Sequence, residues 1–184
     1  MAKPTIETVA EKIYWSYSNL AMAHSAVSKN QKSYDRFNYM IRSRLFKGLA
    51  TGTMSMRTIF DDEKIKLKTG QICNYCGSTE NLSLDHILPK KYGGEDNAEN
   101  LIFACKTCNS SKGKKDLIEW MEYRGCFLPL MIIRRYLKLV FGFCAENNLL
   151  EKRIEEVESI NLPFNIKLLP TDYPQPDNLV LNIE

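Results

Sequence analysis

The sequence predicts an α+β fold in which a small β-containing core lies between helical segments. Three observations carry that prediction. Apolar residues recur at helical steps through the N-terminal part of the chain. Over 71–116 the texture changes to short strand-like runs, glycine turns and cysteines. Helical patterning resumes at 106, and a tail with Pro163, Pro170, Pro174 and Pro176 follows. A chain of 184 residues, 44% hydrophobic and 26% charged, is long enough to bury a core without disulfides. No apolar run approaches the roughly 20 residues needed to cross a bilayer. Met1-Ala2-Lys3-Pro4-Thr5 lacks the apolar stretch of a secretory signal. A cytoplasmic protein with no membrane association is expected.

The first helix is expected over 5–28, where Ile6, Val9, Ile13, Tyr17, Leu20 and Val27 share a face, with Thr5 as N-cap and Glu7 in the first turn. His24 falls in that stripe and reads as a hydrogen-bonded core histidine. A second helix is expected over 33–49, with Tyr34, Phe37, Ile41, Leu45 and Leu49 buried against the core. Residues 53–70 read as a short helix and linker, which closes a helical N-terminal region, 1–70. Leu82–Leu88 and Leu101–Ala104 read as a hairpin joined by a long loop containing Gly93-Gly94. Helix is then expected over 106–124 and 130–145, the second as a core helix or a dimer face, followed by a charged helix over 149–158. Residues 117–158 form the region of C-terminal helices, and 159–184 is expected to be extended and mostly irregular.

The net charge of +3 does not identify a nucleic-acid binder, but its distribution is uneven. Residues 29–68 carry ten Lys/Arg against four Asp/Glu, whereas 117–184 carry seven against ten. On the second helix Arg36, Arg44 and Lys47 fall within one arc opposite the apolar stripe, a basic face suited to a polyanion; the plain alternative is a solvated helix face.

Four of the six cysteines form two C-x2-C pairs, Cys73/Cys76 and Cys105/Cys108, separated by 28 residues. Four thiolates close a tetrahedral zinc site without another ligand. Cys126 and Cys144 read as ordinary buried thiols. Between the knuckles lie Asp85-His86, Pro89, Gly93-Gly94 and Asn100-Leu101, and Asn109 directly follows Cys108. Because the cysteines satisfy zinc, Asp85 and His86 are free to divide two tasks, one holding a hard cation and the other accepting a proton from water.

In these residues the chain resembles the HNH endonuclease family: an Asp-His pair, a middle Asn, and a third Asn just beyond the second knuckle, on a ββα-metal framework. The resemblance covers about 71–116, a quarter of the chain. It implies that His86 is the general base, that Asp85 and Asn109 hold a catalytic Mg²⁺ or Mn²⁺, that Asn100 braces the loop, and that the zinc is structural. Lys112, Lys114 and Lys115 follow Asn109 on the same helix and read as phosphate contacts beside the cut, with a solvated turn as the plain alternative. The function implied is metal-dependent hydrolysis of DNA phosphodiester bonds in restriction or anti-phage defence, with DNA as partner. A homodimer, or a partner protein of a defence complex, stays open. The alternative reading is a non-catalytic zinc module that binds nucleic acid or protein.

Overall fold

The computed structural model describes residues 4–56 and 71–183. Helix α1 (Val9–Ser28) starts later than the apolar spacing predicts. Its N-cap is Thr8 rather than Thr5, because Thr8 and Glu11 close a capping box that satisfies two otherwise orphaned amides. The next amides of this first turn, those of Val9 and Ala10, donate to Lys152 O and Leu150 O. That use of the 150–152 backbone explains a second departure. The charged helix expected over 149–158 shrinks to Ile154–Val157, preceded by a strand-like pairing of Arg153 with Thr8.

Helix α2 (Arg36–Ala50) is capped by Asp35 and packs on α1, not on the cysteine-bearing core as the stripe suggested. Its inner face is partly polar. Asn38 is buried and donates to Gln31 Oε1, while Arg42 stacks 4.8 Å from the Trp15 ring and donates to Asn19 Oδ1 at 3.2 Å. These polar contacts rotate the helix relative to its apolar stripe. Leu49 is buried, but Phe37 is 46% and Met40 49% exposed. His24 is half-buried at the edge of the core, its Nδ1 3.4 Å from Ser28 Oγ. The helix and linker expected over 53–70 lie, from 57 onward, outside the described residues.

Strands β1 (Leu82–His86) and β2 (Leu101–Cys105) form the expected antiparallel hairpin, with Leu82 opposite Cys105, Asp85 opposite Ile102 and His86 opposite Leu101. Helix α3 (Lys106–Lys112) follows at once and ends at Gly113, whose φ is +51°. The single helix expected over 106–124 is therefore two, since α4 (Leu117–Arg124) starts afresh with Asp116 capping the Ile118 and Glu119 amides.

Helix α5 (Leu130–Glu146) is the core helix. Ile133, Tyr136, Leu137, Val140 and Cys144 are fully buried, and the helix packs against α1. Cys126, expected to be buried, is exposed in the turn that precedes it. The tail after α6 (Ile154–Val157) is irregular, as expected, but not peripheral: Phe164, Ile166, Leu169 and Leu179 are buried. It also completes α5. Pro129 offers no side-chain cap, and the Leu130 and Met131 amides donate instead to Val180 O and Leu181 O.

Candidate functional site

Four thiols converge where the hairpin meets α3. Cys73 and Cys76 lie in a tight turn closed by the Gly77 amide on Cys73 O, while Cys105 ends β2 and Cys108 lies in the first turn of α3. All four Sγ atoms are within 4.8 Å of one another, and Cys76 Sγ is 3.8 Å from Cys105 Sγ. Zinc–sulphur bonds of about 2.3 Å in a tetrahedron place the sulphurs roughly 3.8 Å apart, so this donor set fits zinc. The Cys108 amide donates to Cys105 Sγ and brings that thiol down to about 7, whereas burial pushes the Cys108 thiol up. Arg124 adds positive charge 3.7 Å from Cys108 Sγ. Its guanidinium stacks on Trp120, whose ring meets Tyr75 edge-on at 4.8 Å.

Asp85 and His86 are neighbours on β1 and so face opposite sides of the hairpin. Asp85 is turned inward and only 5% exposed. Tyr75 Oη donates to its Oδ2 at 2.8 Å, and Lys112 Nζ lies 3.3 Å from Oδ2 and 3.5 Å from Oδ1. The same ammonium donates to His86 O at 2.5 Å. Lys112 was expected to touch phosphates, yet it is 0% exposed. From the last turn of α3 its side chain runs back under β1, where the Asp85 carboxylate offsets its desolvation; burial still lowers its pKa, with Asp85 opposing. Tyr75 is held far above the ordinary phenol range by burial and by Asp85, so it remains a donor. Asp85 is therefore the centre of a closed network. A further cation reaches its oxygens only by sharing or displacing Lys112.

His86 faces outward. Its Nε2 lies 2.9 Å from Asp96 Oδ1, and Asp96 Oδ2 accepts from Lys90 Nζ at 2.6 Å. Lys90 first, then His86, holds the Asp96 carboxyl below its ordinary range. A neutral imidazole that donates Nε2–H to this carboxylate carries its lone pair on Nδ1.

Asn100 fixes the backbone that follows His86. Its Oδ1 accepts the Leu88 amide at 2.8 Å, its Nδ2 donates to Leu88 O and Glu95 O, and its carbonyl accepts the Ile87 amide. Gly94 closes the loop so tightly that a Cβ there would stand 2.1 Å from Leu88 O. Asn109 ties α3 to β1, its Nδ2 donating to Ser83 Oγ at 2.9 Å and Leu84 O at 3.2 Å. Asn100 thus borders the end of β1 that carries His86, whereas Asn109 reaches Ser83 and Leu84 and the Asp85 carboxylate faces the side of the hairpin opposite the His86 ring.

Residues 73–115 match the family model described as HNH endonuclease. The match spans about a quarter of the chain. Over 54 residues the chain is 42% identical to the CRISPR-associated endonuclease Cas9 of Corynebacterium diphtheriae, covering 27% of this chain and 5% of that protein. Over 78 residues it is 32% identical to the CRISPR-associated endonuclease Cas9 of Actinomyces naeslundii, covering 40% of this chain and 7% of that protein. The chain corresponds to only a small part of each relative. No solved structure gives a significant match.

Beyond the HNH segment, Arg36, Arg44 and Lys47 are exposed on α2, a helix without an acidic residue; within it, Lys114 is exposed after α3. Three side chains at the site escape a reading of the sequence. Asp96 lies in the loop between two motif positions, where its pairing with His86 has no sequence signal. Tyr75 is interior to the first knuckle and reads as a spacer. Arg135, on α5, reaches the loop from outside the segment altogether.

Proposed function

We propose that the chain is a metal-dependent HNH endonuclease that hydrolyses DNA phosphodiester bonds in the cytoplasm, in restriction or anti-phage defence. The observation that carries this reading is the setting of His86: outward-facing, paired through Nε2 with Asp96, and followed by backbone locked by Asn100. A base aimed in this way takes a proton from water at Nδ1 as the water attacks phosphorus. Asp85 and Asn109 supply a carboxylate and an amide oxygen, the hard donors that suit Mg²⁺ or Mn²⁺. Such an ion, when bound, supplies positive charge to the scissile phosphate. Asn109 also ties α3 to β1, and the zinc knuckles hold both elements in register.

The exposed cations of α2 support a second contact with the polyanion, outside the motif. Lys114 adds another beside α3. The defence role draws on the CRISPR-associated relatives.

One observation favours the alternative of a non-catalytic zinc module: both oxygens of Asp85 are already engaged by Tyr75 and Lys112. Plasmid cleavage decides between them. With Mg²⁺ or Mn²⁺ the protein is expected to cut supercoiled DNA, and His86→Ala to lose about 10²–10⁴ in rate at unchanged zinc content and DNA affinity. An inactive wild type, or full activity in the variant, overturns the assignment.

A further inference from the structure

The His86 loop is held at one end by a residue that the HNH segment does not contain. Arg135 lies on α5, twenty positions beyond the end of the family match at 115, and is 5% exposed. Its Nε donates to Glu99 O and its Nη2 to Ala98 O, the latter at 2.7 Å. These successive carbonyls belong to the 3-10 turn Ala98–Asn100, which delivers the Asn100 side chain to Leu88. We propose that Arg135 is a positioning residue for the catalytic loop, acting through the turn on Asn100 and through Asn100 on the backbone that aims His86. Its effect on rate rests on the nuclease reading above; its effect on the loop does not.

Two features give this single side chain its leverage. Apolar packing does not fill the space between α5 and the loop: a cavity of about 400 Å³ opens there, lined by Gly93, Gly94 and Asn97 on one side and Lys138 and Phe143 on the other. The Arg135 hydrogen bonds bridge from the helix to the loop beside this space. The base of the clamp is anchored, because Ile133, Tyr136 and Leu137 of the same helix are fully buried. A planar guanidinium fork spans two neighbouring carbonyls in one geometry, which a lysine ammonium does not reproduce. Without the fork the Glu99 carbonyl loses this donor and Ala98 O keeps the Leu101 amide alone, so the turn is less firmly held against α5.

The test compares the zinc-loaded full chain with Arg135→Ala and Arg135→Lys by two readouts. In Arg135→Ala, amide hydrogen exchange at Ile87, Leu88 and Asn100 is expected to quicken while β2 and α3 keep their protection. Turnover is expected to fall by up to about 10²-fold in kcat with KM unchanged. Millimolar guanidinium should restore part of the rate to Arg135→Ala but none to His86→Ala, and Arg135→Lys should fall between. Unchanged exchange at those three amides overturns the clamp, whether or not the wild type cleaves. Faster exchange at them with an inactive wild type upholds the clamp and sinks only the nuclease reading. A change confined to KM overturns the route through His86. If Arg135→Ala loses its melting transition, Arg135→Lys carries the same comparison of exchange, since it keeps the charge and most of the bulk.

Discussion

The HNH segment and helix α2 treat charge in opposite ways. In the segment, a lysine is taken wholly out of water, paired with a carboxylate, and used to hold a strand carbonyl. On α2, Arg36, Arg44 and Lys47 stay in solvent, and the apolar Phe37 and Met40 are exposed among them. Desolvating a charge costs several kcal/mol unless partners repay it, so an interior cation belongs to the architecture. Solvated cations contribute little to folding and keep their interaction capacity for a partner. Basic residues in one chain thus separate into those that build the site and those left available to a ligand.

The largest expected effect falls on the inward-turned region. Cys105→Ser should lower zinc content and remove the thermal protection of the β1–β2 hairpin, because structural zinc couples binding free energy on the order of 10 kcal/mol to folding. Zinc analysis and melting curves measure both, and a variant with neither zinc nor any loss of stability would exclude a four-thiolate site. Next in size is Lys112→Met, which leaves Asp85 buried without its counter-charge and should cost about 3–5 kcal/mol. Adding Asp85→Asn to it should recover part of the loss in denaturant unfolding. Melting equal to wild type in the single variant would mean that Lys112 reaches solvent after all. The smallest stability effect is expected on α2. Replacing Arg36, Arg44 and Lys47 together by Gln should leave stability within about 0.5 kcal/mol. The same change should reduce the salt dependence of DNA binding by up to about 0.9 in slope per lost phosphate contact. A slope identical to wild type would make that face a solvated one.

The parts legible in the sequence were those with local signals. Thiol spacing marks the knuckles, short strand-like runs mark the hairpin, and glycines at 93–94 mark a loop that needs close approach and a positive φ. The fate of Lys112 was not legible. Its neighbours Lys114 and Lys115 are exposed, and only the pairing of α3 against β1 decides which lysine turns inward. The same limit applies to α2, where an apolar stripe suggested one contact face and the polar pair Asn38 and Arg42 produced another. Arg135 has no signal at all, because its partners are backbone carbonyls on a distant segment, and any residue type supplies those.

The tail that fastens α5 also bears on the order in which the molecule assembles. Ser16 Oγ donates to Pro170 O across 154 positions, Tyr34 Oη to Pro174 O across 140, and the first amides of α5 wait for carbonyls of residues 180 and 181. Contacts between such remote points carry a loop-closure entropy that is repaid only once many of them form together. The hairpin and its two thiol pairs need only short-range encounters. Contact order therefore predicts that the hairpin and its knuckles form before the helical core, which closes when α1, α5 and residues 160–181 meet.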